Sequence, residues 1–273
     1  MAIVQGPTRD EQADAQRRSG LDLWTTRELV AAHADRELRP AEAMLLARHR
    51  EALAGRVLEL GCGAGRLTGY LCDLGATVLG VDISPLMVGF CRRKYSAAAF
   101  EVGDLRLAKA LGARGRFDAV IVGNGLVDVL DHEERERVLG DIGELLTNAG
   151  IFYFSSRNLA FAPRIAGPFA ALRGGSPVDT LRRLVRVPLW LYNRRRMRRR
   201  EIRTADYAML NDRRHDFRRL HHYITRDAEE LELARVGLTL VECLDEAGHR
   251  VMRGESAPEC AELHYVARRA TSR

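Results

Sequence analysis

The 273-residue chain has no CxxC pair, although it holds five cysteines, Cys62, Cys72, Cys91, Cys243 and Cys260, at irregular spacings. That argues against a disulfide framework and against a thiolate zinc site, and no metal site is expected. No apolar run approaches the roughly 18 residues a membrane-spanning helix needs, and the opening MAIVQGPTRDEQADAQRR lacks the apolar centre of a secretory signal. These absences read as a reduced, soluble, cytoplasmic protein without a transmembrane segment. Aromatic residues make up only 6% of the chain, and no aromatic platform interleaved with basic residues is visible, so single-stranded nucleic acid is not the favoured partner. Lysine is nearly missing: Lys94 and Lys109 are the only two, and arginine carries the rest of the positive charge. The GxxxxGK[ST] signature of a phosphate-binding loop is absent, because no lysine follows Gly65. The dinucleotide fingerprint GxGxxG is broken as well, because Arg66 stands where the third glycine belongs.

What is present is a regular alternation. A hydrophobic fraction of 46% suffices for one large domain with a core. Apolar runs at 57–60, 77–82, 99–102, 117–122 and 151–155 read as strands, and helical spacing marks 66–74, 84–94 and 132–147 between them. Asp131 with Glu134 resembles a capping box for the third of these helices. Strands alternating with helices imply a parallel sheet covered on both faces. Residues 21–54 read as one or two amphipathic helices, with Trp24 placed to cover a ligand or to pack in the core. The alternation breaks over 157–222, which is Arg-rich and irregular, with Pro163, Pro168, Pro177 and Pro188. It resumes with helix 225–236, capped by Thr225, strand 238–244 and a last strand from Glu262. The two final strands have no obvious helix between them, so an antiparallel hairpin is expected.

The glycine loop sits in VLELGCGAG, residues 57–65, directly after the first strand. Asp82 ends the second strand in VLGVDIS (78–84), where a carboxylate can accept bonds from a ribose diol. VGD (102–104) follows the third strand, and FDAVIVGNGLVDVLD (117–131) carries Gly123-Asn124-Gly125 past the fourth. All four lie at the carboxyl ends of parallel strands, the edge where open α/β sheets bind ligands.

These four motifs in this order resemble the class I S-adenosylmethionine-dependent methyltransferases. The resemblance covers about residues 55–155, with an echo in YITRDAEELELARVGLTLVE (223–242). It implies a Rossmann-like sheet of seven strands in the order 3-2-1-4-5-7-6, the last antiparallel, and S-adenosyl-L-methionine as cofactor. It also implies residue roles. Gly61 and Gly63 admit the cofactor to the backbone. Glu59 orients the loop or reaches the methionine ammonium. Asp82 holds the ribose, Ile83 and Met87 pack on the adenine, and Asp104 bonds the adenine amino group. The Leu105 amide meets a ring nitrogen, and the carbonyl of Gly123 or Asn124 receives the ammonium. The resulting division is an N-terminal helical cap (1–54), a cofactor-binding core (55–156), an acceptor-binding or lid insertion (157–222) and the C-terminal part of the core sheet (223–273).

For the acceptor side, HDFRRLHHY offers His215, His221, His222 and Tyr223 as candidate proton acceptors, with an ionisation expected near 6–7. If the segment is one strand, alternation sets His215, Phe217, Arg219, His221 and Tyr223 on one face, with Phe217 as an apolar wall. Residues 182–214 hold 12 Arg against Glu201, Asp206 and Asp212, a net of +9, so the remainder of this +6 chain carries about −3. Phosphate recognition, nucleic acid and a membrane surface all fit such a run. Asn124-Gly125-Leu126-Val127 lacks the Asn-Pro-Pro-Tyr type of motif used on base amines, which argues against nucleobase methylation. The expectation is a small-molecule O- or N-methyltransferase acting on a natural-product or sugar-like acceptor. The alternatives are an RNA-binding methyltransferase that uses the Arg-rich insertion, and a cofactor-binding protein with other chemistry.

Overall fold

In a computed structural model, residues 37–111, 116–164 and 177–270 are described. Trp24 and the first part of the expected cap lie outside them. The chain opens with α1 (Pro40–Arg48) and the single turn α2 (Arg50–Leu53). It continues through β1 (Arg56–Leu60), α3 (Arg66–Asp73), β2 (Thr77–Asp82), α4 (Pro85–Lys94), β3 (Ala99–Val102), β4 (Phe117–Val122), α5 (His132–Leu145) and β5 (Leu146–Arg157). After the insertion come α7 (Arg226–Arg235), β9 (Leu238–Leu244) and β10 (Glu262–Arg269), the label α6 belonging to the insertion.

The sheet order is β3-β2-β1-β4-β5-β10-β9, with β10 antiparallel to both of its neighbours. Period-2 alternation divides the core into two layers. Leu58, Leu60, Val120, Val122, Phe152 and Phe154 face Val138, Leu139, Ile142 and Leu145 of α5 and Leu233 of α7. Val57, Val78, Ala119, Ile121 and Tyr153 face the other way, onto Leu45, Leu46, Leu67 and Leu71. Because both faces are covered, β1 and β4 read as nearly unbroken apolar runs. Two caps are as expected: Asp131 accepts from the Glu134 amide at 2.8 Å and Thr225 from the Ala228 amide at 3.2 Å.

The insertion corrects the sequence reading. Residues 177–224 are not irregular. They hold α6 (Pro177–Arg198) and a three-stranded antiparallel sheet of β6 (Ile202–Arg203), β7 (Tyr207–Asn211) and β8 (Leu220–Ile224). Pro188 lies inside α6, where an interior proline costs about 3 kcal/mol. The helix continues because Val187 and Trp190 on its inner face pack against Phe217. The indole N–H of Trp190 also donates to Asp216 at 2.8 Å, and the Asn193 amide donates to the Asp216 carbonyl at 2.9 Å. Residues His215, Asp216 and Phe217 have φ of +53°, +56° and +58°, so they form a tight turn and cannot belong to a strand. The alternation expected from His215 to Tyr223 therefore holds only from Leu220 onward. Phe217 is fully buried under α6 and walls no pocket beside Tyr223.

Candidate active site

The glycine loop connects β1 to α3, and the Gly61 and Cys62 amides both donate to the Val81 carbonyl, at 2.7 and 3.1 Å. Gly61 has φ +72°, and a Cβ there would fall 2.2 Å from Leu126 Cδ2, so side chains are excluded by conformation and by space. Gly63, at φ +54°, would meet nothing within 4 Å: here the backbone faces open space. Its amide donates to Asp82 Oδ2 at 2.9 Å while the Ser84 amide donates to Oδ1 at 2.8 Å. Two backbone donors thus fix the carboxylate at the end of β2 beside the open loop. A carboxylate offers about four acceptor positions, more than these two amides use.

The other expected cofactor residues take varied places. Glu59 is buried, its carboxylate receives the Thr68 hydroxyl, and burial pushes it up to about 7. Ile83 is half-buried, whereas Met87 is buried against Ala64 of the glycine loop. Asp104 accepts from the Arg106 amide and guanidinium at 3.0 and 3.1 Å, and Arg106 also reaches Glu134 at the start of α5. Leu105 is buried beside them. Gly123 and exposed Asn124, at φ +58°, bring Leu126 over Gly61. Hydrogen bonding with Cys91, together with burial, pushes the Cys62 thiol up, which leaves it a filler of the loop and not a nucleophile.

Sequence reasoning missed the clamp around these loops. Glu42 on α1, fully buried, takes a two-pronged bond from Arg66 at 2.7 Å, which ties α1 to the helix that follows the glycine loop. Arg39 bridges Asn124 Oδ1 at 2.9 Å and Glu262 at 2.6 Å, and Glu262 also accepts from Ser155, which holds the Gly125 amide. The partners lie up to 223 residues apart, so no local spacing reports them.

The second group lies where β8 crosses the 126–129 turn and the end of β5. Asp212 accepts from the Tyr223 hydroxyl at 2.7 Å and meets His221 Nδ1 at 3.1 Å and Arg157 Nε at 3.7 Å. Burial acts to raise the Asp212 carboxyl, but His221, Arg157 and Tyr223 outweigh it and hold it well below the usual carboxylate range. Burial, with help from Arg157, lowers His221 to about 4 against the pull of Asp212. Burial and Arg219 lower His215 to about 4, and its ring lies 5.4 Å from that of His221. The ionisation expected near 6–7 therefore moves to about 4, because these imidazoles sit out of water beside arginines. Arg157 in turn bonds Asp128, which burial pushes up to about 6. Signals for this group existed in a lone acid within the apolar Leu126–Leu130 run and in the polar ending Ser155-Ser156-Arg157 of an apolar strand.

His222 points to the opposite face of β8 and is separated from the other three candidates. Its Nε2 lies 3.2 Å from His132 Nδ1, and Tyr207 stacks on His132 with ring centres 4.0 Å apart. Among the described residues, His132, His222 and Glu232 are close enough to hold a metal ion. The guanidinium of Arg135 already lies against Glu232, however, and supplies the positive charge an ion would bring.

Residues 57–150 match the family model of a methyltransferase domain. The chain is 32% identical over 130 residues to magnesium-protoporphyrin O-methyltransferase of Rhodobacter capsulatus, covering 45% of this chain and 53% of that protein. It is 45% identical over 74 residues to trans-aconitate 2-methyltransferase of Methylobacterium nodulans, covering 26% and 28%. The chain therefore spans about half or less of the length of these curated relatives. Among solved structures, 1,6-didemethyltoxoflavin-N1-methyltransferase of Burkholderia thailandensis superposes with a TM-score of 0.61 at 19% identity, covering 99% of this chain and 94% of that one. At that identity the likeness establishes the fold.

Proposed function

We propose that this chain, whose residues 57–150 match the model of a methyltransferase domain, is a class I S-adenosylmethionine-dependent enzyme that transfers the cofactor's methyl group to an oxygen or nitrogen of a small molecule. The observation that carries this reading is the Asp82 carboxylate, fixed by the Gly63 and Ser84 amides beside a loop whose second glycine faces open space. S-adenosylmethionine supplies the activated methyl group when bound. Gly61, Gly63 and Asp82 hold its ribose and methionine portions. Ile83, Asp104 and Leu105 meet its adenine, and Gly123 and Asn124 its ammonium. Small-molecule chemistry is consistent with the curated relatives, whose names give magnesium-protoporphyrin and trans-aconitate.

In this reading the 157–222 insertion contributes to the acceptor side. The protein's main task is alignment, since a methyl on sulfonium needs only a well-placed nucleophile in line. Where the acceptor is a hydroxyl, His221 takes its proton. Asp212 Oδ1, 3.1 Å from Nδ1, favours the imidazole tautomer that leaves Nε2 as acceptor, and among the described residues both ring nitrogens are buried without a partner in hydrogen-bond geometry. Tyr223 and Arg157 hold Asp212 in turn.

Asp82→Ala is expected to weaken S-adenosylmethionine binding by about 1.5–3 kcal/mol, because two hydrogen bonds to a charged acceptor disappear. Titration calorimetry measures this, with NAD as the control ligand that should not bind. Tight binding of NAD without binding of S-adenosylmethionine overturns the reading.

A further inference from the structure

The insertion holds one large feature that lies outside the residues named for cofactor and acceptor, the outer face of α6. Helix α6 is 22 residues long, about 33 Å at 1.5 Å per residue. Its inner face is fixed by Val187 and Trp190 against Phe217, and by the bonds of Trp190 and Asn193 to Asp216. Its outer face is apolar. Leu181, Val185, Pro188 and Tyr192 recur at spacings of four, three and four, which places them on one stripe. Leu181 is 64% exposed, Val185 76% and Tyr192 63%, and Leu184, Leu189 and Leu191 flank them in the open. Single exposed apolar residues are ordinary, but six along little more than three turns of one helix are a contiguous patch.

Beyond Tyr192 the same helix turns basic. Arg195, Arg196 and Arg198 in its last turn, with Arg199 and Arg200 just past its end, are exposed, and none is paired with a carboxylate among the described residues. Arg186 does pair, with Asp216 at 2.6 Å, so acids are within reach of this helix and are not provided for the others.

We propose that the outer face of α6 docks this protein onto an anionic lipid surface, the helix lying in the interfacial plane with Leu181, Val185 and Tyr192 sunk among acyl chains and the arginines at its carboxyl end on lipid phosphates. An apolar stripe ending in unpaired cations is the composition of an interfacial helix. The same helix is not built to span: no helix among the described residues is long and apolar enough to cross a membrane. A second copy of the chain fits less well, because two-fold packing of this face brings two arginine clusters into one interface. Nucleic acid would answer the arginines but leave the aliphatic stripe uncovered.

The test is co-sedimentation of the whole protein with vesicles of phosphatidylcholine, with and without phosphatidylglycerol, across a salt series. Binding to the anionic vesicles is expected to exceed binding to neutral ones at least tenfold and to weaken as salt rises, since each arginine near such a surface contributes a factor of about five. The exposed pair Leu181→Glu/Val185→Glu should abolish binding, and so should Arg195→Glu/Arg196→Glu, with wild-type thermal melts in both. Absent binding of the wild type, or full binding by Leu181→Glu/Val185→Glu, overturns the proposal. So does lipid-free self-association, seen by light scattering, that those substitutions remove, because then a second copy covers the face.

Discussion

Replacing Arg135 with methionine is expected to lower the free energy of unfolding by about 3–5 kcal/mol, the range for breaking a buried ion network by removing one partner. Arg135 is fully buried and serves three carboxylates that are also fully buried. Its Nη2 bonds both oxygens of Glu229 at 2.8 and 2.7 Å, its Nη1 lies against Glu232, and its Nε is 3.8 Å from Asp128. These groups come from α5, α7 and the turn after β4, so one guanidinium joins the core helices to the roof of the site. Methionine fills similar volume, which confines the effect to charge. Without the guanidinium, Asp128, which burial already pushes up to about 6, must take up a proton to remain buried, so its folded-state value stands further above its unfolded one. Stability gained from that protonation is present at low pH and lost as pH rises, so the deficit of the variant should be smaller at pH 5.5 than at pH 8. Chemical denaturation at both pH values measures it. A loss below about 1 kcal/mol at pH 8 would place this network among the surface-like pairs that contribute little.

Residues acting on near neighbours were legible in the sequence. Gly61, Gly63 and Asp82 lie within 22 residues, in a unit whose strand–loop–helix pattern is local, and the central strands β1 and β4 appear as apolar runs because both sheet faces are covered there. The clamp was not legible, because Arg39 meets Glu262 and Asp212 meets Arg157 only after the sheet has formed. The insertion misled for a different reason. Proline and arginine counts mark loops on average, yet Pro188 faces outward on a helix held by Trp190 and Val187, so tertiary packing overrode propensity. The strand through HDFRRLHHY failed at three consecutive residues of positive φ, none of them glycine, which no spacing rule anticipates. Beyond that turn, alternation along β8 keeps His221 and Tyr223 on one face and sends His222 to the other.

His221→Ala is expected to lower turnover on a hydroxyl acceptor by about 10²–10⁴, the usual contribution of a positioned general base, with S-adenosylmethionine affinity nearly unchanged. His222→Ala is the internal control: it lies on the opposite face of β8, against His132 and Glu232, and should retain turnover close to wild type. Asp212→Asn distinguishes orientation from packing, since asparagine preserves the volume but no longer fixes the imidazole tautomer. It should cost turnover while moving the acid limb to lower pH, because the carboxylate raises His221 and its loss lets burial and Arg157 depress the imidazole further. In the wild type, His221 is the proton acceptor only when neutral, so activity should persist down to about pH 5 and fall as pH drops through about 4. Stability must be followed alongside. His221, and His222 at about 2, are depressed below the ordinary imidazole value near 6.5, so the native state is favoured above that value and loses stability as pH falls beneath it. Melts at each pH separate unfolding from protonation of the base. If His221→Ala and Tyr223→Phe both turn over within about tenfold of wild type, less than a general base contributes, catalysis rests on alignment alone and the Asp212 group serves only to seat β8 on the core.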